Sequence, residues 1–188
     1  GHYCKNSTDR RFDYIYMNYD NFTRQIEGYR EGLAFLIASQ KAYNRKSDYG
    51  DLGVRVQTSR GLSDLTADMA IENVIVKDCI DKCEVTDDLL MDVDDREEVA
   101  LGLFELQLMK LELQVFDFQL QTFRQEDFKI LSSYLNRNRS IREIAEELSI
   151  EPESVNKRLY RLKRKLKERI TPFMKEYKME EVGNNGIF

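Results

Sequence analysis

Histidine is almost missing from this 188-residue chain, which has one His, no Trp, two Pro, nine Gly and three Cys. Because histidine is the commonest general base and a usual zinc ligand, an enzyme would depend on carboxylate, tyrosine or lysine chemistry. The cysteines Cys4, Cys79 and Cys83 are odd in number and have no companion histidines, which argues against a disulfide framework or a zinc site. The glycines form no phosphate-binding loop pattern. We therefore expect a protein that is not an enzyme and needs no cofactor and no metal.

Long apolar runs are also missing, since no stretch approaches the roughly 20 residues of a membrane span. No charged and then apolar leader opens the chain, and we interpret Gly1-His2, which no methionine precedes, as the scar of a purification tag. Apolar residues make up 41% and charged residues 34% of the chain. With so little Pro and Gly, this composition predicts a soluble, all-α protein, and we expect it to be cytoplasmic.

The net charge of -5 is unevenly distributed along the chain. Residues 136–170 carry eleven Lys or Arg against six acids, a net charge of +5, so the remainder carries -10. Residues 84–98 alone hold eight acids and one Arg. They lack the Gly and Glu that a calcium-binding EF-hand loop counted from Asp92 requires, and we interpret them as a solvated, mobile linker. A basic segment on an acidic chain indicates one local face that binds a polyanion.

The chain divides by pattern into four regions. Residues 1–19 read as an N-terminal extension, and residues 20–123 as a helical core or oligomerisation region. That region has a helix from Phe22 to about Lys41, a turn-rich loop at 43–63 with a possible strand at 54–58, and a second helix after an N-cap at Ser63. The face of this second helix includes Leu65, Met69, Val74 and Ile75, with Cys79 as a further candidate. Residues 124–171 form a further domain, and residues 172–188 a tail, of which we expect Glu176 to Phe188 to be mobile.

Residues 99–123 carry a wide apolar stripe at helical spacing. Its members recur in steps of three and four, with a flanking row at intervals of seven: Leu101, Phe104, Leu108, Leu111, Val115 and Phe118, then Val99, Leu106, Leu113 and Leu120. Such a stripe needs a partner, because apolar side chains are stabilised by removal from water. The partner is either the rest of the same chain or a second copy, which makes a homodimer through residues 99–123 one of two open alternatives.

The strongest pattern lies in Gln125–Ile170 and predicts three short helices. Ser140 with Glu143 three residues later is a capping box that starts the second helix. Residues 149–151 make a turn, and Pro152 suits the first position of the third helix because that position needs no N–H. Val155, Leu159, Leu162 and Leu166 share its inner face. This is the pattern of a helix-turn-helix, a motif that binds double-stranded DNA.

The opposite face of the third helix presents the side chains that we expect to read bases in the major groove. They are Glu153, Ser154, Asn156, Lys157, Tyr160, Arg161 and Arg164. A second set is expected to contact DNA phosphates: Arg139, Ser140, Arg142, Lys163, Lys165 and Lys167. A basic surface helix stabilised by pairs of opposite charge is the alternative interpretation.

In these residues the chain resembles region 4 of bacterial sigma factors. The resemblance covers about Gln125 to Arg169 and lies in Glu143-Ile144-Ala145, a turn, Ser154-Val155 and an Arg/Lys-rich helix. No upstream stretch interleaves aromatic and basic residues as promoter opening by a complete sigma factor requires. The resemblance implies contacts with promoter DNA and with RNA polymerase.

Residues 56–64, VQTSRGLSD, followed by Thr66 and an amphipathic helix, resemble what precedes such a motif in phage late-transcription regulators of the RinA and ArpU type. The helical stretch from Val99 to Phe123 is longer than that family leads us to expect. This resemblance implies a phage or prophage activator of late genes that acts in the cytoplasm of a bacterial host cell. Two alternatives stay open: a sigma-like adaptor that binds mainly RNA polymerase, and a terminase small subunit, for which ring-sized oligomers would be expected.

Overall fold

A computed structural model describes residues 3–48, 65–137 and 139–176 of the chain. Across these ranges the regular structure is entirely helical, which confirms the predicted all-α fold. The α-helices are α1 (Thr8–Asp48), α2 (Leu65–Lys82), α3 (Asp87–Leu90), α4 (Arg96–Gln121), α5 (Gln125–Leu135), α6 (Ile141–Leu148) and α7 (Pro152–Ile170), and short 3-10 turns lie at Tyr3–Lys5 and Thr171–Phe173. The predicted strand at 54–58, most of the predicted loop and the N-cap at Ser63 lie outside the described residues.

Helix α1 begins at Thr8, fourteen residues before the predicted start at Phe22, and runs for 41 residues. It bends at Asn18, where φ is -117° and ψ is 15°. Residues before the bend are helical because they bury Phe12, Ile15 and Tyr16, a three- and four-residue spacing interrupted by charges. Most of the stretch predicted as an N-terminal extension is therefore part of this helix.

Residues 84–98, which we predicted to be a solvated and mobile linker, are held by specific contacts. The Thr86 side chain caps α3 by accepting a hydrogen bond from the Leu89 backbone N–H at 3.2 Å, and α4 already begins at Arg96. Leu89 and Val93 are buried. The linker interpretation was wrong because two apolar side chains suffice to anchor an acidic stretch whose carboxylates stay in water.

The described residues group into two compact units. The first combines the start of the chain through Ile26 with the C-terminal part from Leu108, and the second contains Glu27–Gln107. The domain boundaries expected from the sequence remain a prediction. Helices α1 and α4 each contribute residues to both units.

A buried ion pair joins separate segments of the first unit. Arg11 is fully buried, and its guanidinium donates to Glu112 Oε1 at 3.0 Å, to the Asn6 carbonyl at 2.7 Å and to the Lys175 carbonyl at 2.5 Å. The Tyr3 hydroxyl donates to Glu112 Oε2 at 2.7 Å. Burial raises the pKa of Glu112, while Tyr3 and Arg11 oppose that shift. Met174 is also buried, so the predicted tail starts with an ordered contact.

In the second unit α1 approaches α4 closely at Gly102. A Cβ atom there would lie 2.5 Å from Leu33 Cδ2, so only glycine fits without displacing Leu33. Tyr29 donates to Glu105 at 2.7 Å, and Lys41 Nζ donates to the Asp88 carbonyl at 2.7 Å. These contacts hold α3 and α4 against α1.

The predicted inner face of α2 was partly wrong. Val76, Cys79 and Ile80 are buried, whereas Val74 and Ile75 are exposed, so burial of Cys79 is the confirmed part. The side chains of Leu65 and Met69 lie outside the described set. Apolar residues are distributed over more than half of the circumference of α2. Their spacing alone therefore does not show which side of the helix packs inward.

The apolar stripe of α4 is divided between the interior and the surface. Val99, Leu106, Leu108 and Leu120 are buried, whereas Leu111 and Phe118 are 51% and 60% exposed. The inward arc is completed by Phe116 and by Glu112, a charged residue that hydropathy excludes from a core. Packing within the chain therefore accounts for part of the stripe only.

Replacing Glu112 by Gln is expected to lower the free energy of unfolding by about 3–5 kcal/mol, because Arg11 would remain buried without its counter-charge. The double variant Arg11→Met/Glu112→Leu should lose clearly less stability than the sum of the losses in the single variants Arg11→Met and Glu112→Leu. Urea unfolding followed by circular dichroism measures these values. Strictly additive losses would contradict coupling between the two side chains.

Gly102→Val is expected to lower the free energy of unfolding by about 1–3 kcal/mol, since Leu33 must be displaced from a packed position. Gly28 offers a matched control in the interior of α1, because nothing lies within 4 Å of its Cβ position. Gly28→Val should change stability by less than about 0.5 kcal/mol. Equal losses in the two variants, measured by thermal and urea unfolding, would contradict the close approach.

Candidate nucleic-acid interface

The three helices predicted between Gln125 and Ile170 are α5, α6 and α7, and local sequence explains their limits. The Ser140 hydroxyl accepts a hydrogen bond from the Glu143 N–H at 3.3 Å, and Glu143 Oε2 accepts one from the Ser140 N–H at 2.6 Å. This confirms the capping box. The bond from the Ser140 backbone lowers the pKa of Glu143. Ser149 turns the chain in the left-handed region at φ 53°, and Pro152 opens α7 as predicted.

One side of α7 is buried in the first unit. Val155, Leu159, Leu162 and Leu166 are buried as predicted, and Ile170 extends the row. Arg158, which the sequence did not single out, donates to Asp127 of α5 at 2.9 Å. Arg169 donates to Thr122 at 2.7 Å and lies 4.5 Å from the ring centre of Phe123. Apolar burial and two arginines thus anchor α7 along its length.

The seven predicted base-reading residues all lie on the exposed side of α7. They are Glu153, Ser154, Asn156, Lys157, Tyr160, Arg161 and Arg164. Tyr160 is 70% exposed, and the Arg161 Nε donates to the Lys157 carbonyl at 3.3 Å. Lys157 pairs with Glu153 at 2.8 Å in an exposed pair one helical turn apart. Such pairs stabilise by only about 0.3–0.5 kcal/mol, so an anionic ligand can replace them.

The six predicted phosphate contacts do not form one set. Arg139, Ser140, Arg142 and Lys165 are exposed, although Arg139 is paired with Glu147 and Ser140 is occupied in the cap. Lys163 and Lys167 instead lie against α1. Lys163 contacts Asp13 at 2.8 Å and Lys167 contacts Asp9 at 2.9 Å, with both side chains only about one-third exposed.

Aromatic rings of α1 complete the environment of these two lysines. Lys163 Nζ lies 4.7 Å from the ring centre of Tyr16, and Lys167 Nζ lies 5.8 Å from that of Phe12. Sequence reasoning missed this contact, since the acids and rings are about 150 residues away and local spacing carries no signal for them. Helix α1 thus occupies two of the cations that we assigned to phosphates.

A further basic position that the sequence did not single out is Arg137, in the turn between α5 and α6. Its backbone adopts φ 52°, and its guanidinium contacts Asp20 at 3.3 Å and the Met17 carbonyl at 3.2 Å. With Arg139, Tyr134 and Met17 it lines an open cleft of about 510 Å³. Three contacts, through Arg137, Lys163 and Lys167, therefore join α1 to this part of the first unit.

Comparisons with protein-family models, with curated proteins and with solved structures found no significant match to this chain. None of the helices in the described ranges is long and apolar enough to cross a membrane. The same ranges contain no group of three or more His, Cys, Asp or Glu side chains placed to hold a metal ion. Fold and site define an all-α protein that presents a basic helix with one anchored and one exposed side.

Proposed function

We propose that this protein is a sequence-specific DNA-binding transcriptional regulator with a helix-turn-helix, and that it is a phage or prophage activator of late genes. One observation carries the proposal: α7 is packed through its buried side, while an opposite side rich in hydrogen-bonding groups faces water. The major groove of DNA, about 12 Å wide, accommodates one α-helix.

The chemistry of the exposed side supports base reading. Glu153 can accept a hydrogen bond from a cytosine amino group, Asn156 can pair with adenine, and Lys157 can donate to guanine. All three lie in the first two turns of α7, the part of a recognition helix that reaches base edges. Arg142 and Lys165 then supply phosphate contacts on either side.

The charge distribution supports binding through one face only. Residues 136–170 carry +5 on a chain whose net charge is -5, so DNA is attracted to this segment and repelled by the remainder. The resemblance to sigma region 4 supports a second partner, RNA polymerase, for an activator that acts on promoter DNA. A homodimer belongs to the same proposal, because regulators that bind paired half-sites do so as symmetric dimers.

The proposal is tested by incubating the purified protein with fragments of its source genome at near-physiological salt, and by sequencing the retained DNA. We expect enrichment of a discrete site by the protein alone, beside a promoter. Enrichment that requires added RNA polymerase would indicate the sigma-like adaptor instead. A site beside terminase genes, bound by ring-sized oligomers, would indicate a packaging subunit. Absence of enrichment in both arms would contradict DNA recognition.

Lys157→Ala is expected to relax base preference at one position of the enriched site, because a bidentate base contact contributes about 1–3 kcal/mol of discrimination. Lys165→Ala is the matched control on the same helix. It should weaken binding to all sequences alike and reduce the salt slope by about one. Fluorescence anisotropy on the site and on single-base variants measures both effects. Identical, sequence-independent losses would overturn the assigned orientation of α7.

Neutralising Asp9 and Asp13 together, as Asp9→Asn/Asp13→Asn, is expected to strengthen DNA binding about fivefold at low salt. In the wild type Lys163 and Lys167 must give up their ion pairs with Asp13 and Asp9 before they can contact a phosphate. Breaking two such surface pairs costs about 1 kcal/mol, which corresponds to the fivefold difference in affinity. The control Glu97→Gln/Glu98→Gln makes the same change in net charge at the exposed start of α4. Equal gains in both variants would show a general charge effect, and no gain would assign the two lysines to structure alone.

A further inference from the structure

Helix α4 exposes an uncharged seam in the first unit. Between positions 111 and 122 the exposed side chains are those of Leu111, Gln114, Phe118, Gln121 and Thr122, and none of them is charged. The two charged residues in this stretch are Glu112, which is buried against Arg11, and Asp117, which is half-buried and accepts a hydrogen bond from the Tyr19 hydroxyl at 2.7 Å. We define Leu111, Gln114, Phe118 and Gln121 as the α4 seam.

The outer side of α7, by contrast, is strongly charged, with Glu153, Lys157, Arg161, Arg164 and Lys165 exposed. The seam instead combines two large apolar side chains with two amides over three turns. Depletion of charge together with exposed Phe and Leu is the composition of the centre of a protein interface. A purely solvated face would expose two large apolar side chains at this spacing without any gain in free energy.

We propose that the α4 seam binds a second copy of this chain in a parallel, two-fold symmetric contact. The seam residues alternate in steps of three and four, at positions 111, 114, 118 and 121, which is the a and d spacing of a coiled coil. In a parallel pair each layer places a residue opposite its own copy. Leu111 then meets Leu111, Gln114 meets Gln114, and Phe118 meets Phe118.

Self-pairing suits these four side chains for a chemical reason. An amide carries both donors and an acceptor, so Gln114 can hydrogen-bond to its symmetry mate, whereas a charged residue on the axis would meet its own charge. An antiparallel pair would place Gln114 against Phe118 and leave both amides facing apolar groups. Because each copy carries a net charge of -5, an uncharged face is also where two copies approach with least repulsion.

Sedimentation equilibrium of the full chain tests the proposal, which stands whether or not the protein binds DNA. We expect the wild type to have twice the mass of one 22.2 kDa chain. Leu111→Glu and Phe118→Glu should each raise the dimer dissociation constant at least about a hundredfold. Both side chains are exposed in the single chain, so the circular dichroism spectra should match the wild type. The melting temperature of the wild type should rise with protein concentration, as it does for a dimer, whereas those of the two variants should not.

Met17→Glu is the matched control, because Met17 is 61% exposed in the same unit but lies on α1. It should leave the dimer intact. Gln114→Cys tests the register, since a parallel pair brings the two thiols together, and mild oxidation should give a covalent dimer that the oxidised wild type lacks. A monomeric wild type at the highest soluble concentration would overturn the proposal. So would a dimer that survives both Glu variants, and absence of the Gln114→Cys cross-link would overturn the parallel register.

Discussion

The buried contact between Arg11 and Glu112 is the interaction on which the first unit depends. It joins the beginning of α1, the middle of α4 and the segment after α7 around one guanidinium, with Tyr3 completing the carboxylate's hydrogen bonds. Burial raises the pKa of the Tyr3 hydroxyl well above its usual range, so this group stays protonated and donates. A buried charge pair of this kind specifies one arrangement, because any displacement would leave a charge in the interior without its partner.

The position of α1 follows from that contact, and the environment of α7 follows from α1. With Arg11 fixed, Asp9 and Asp13 lie where they meet Lys167 and Lys163, while Phe12 and Tyr16 lie beneath the same lysines. Helix α7 is therefore bordered by acids on one edge and by Arg158 and its carboxylate partners on the other. The side that remains in water is the one for which we propose DNA binding.

The interpretation of individual segments from sequence worked best where the determinants are close together. The capping box at Ser140 and Glu143, the turn at Ser149 and the start of α7 at Pro152 were predicted and are present, since each depends on residues within one helical turn. The start of α1 was missed because charges interrupt its apolar spacing. The exposed positions of Val74 and Ile75 were missed because the sequence of α2 does not show which of its apolar sides packs against the neighbouring helices.

By itself the sequence determined that this protein is all-α, where α6 and α7 begin, and which residues share the outer side of α7. Those features depend on backbone propensity, capping and helical period, which act over a few residues. Tertiary structure alone decided that Glu112 is buried, that Lys163 and Lys167 face α1, and that packing within the chain leaves Leu111 and Phe118 exposed. The partners of Glu112, Lys163 and Lys167 are about 100 to 150 residues away in the chain. Only packing in three dimensions selects which face of a helix meets which partner.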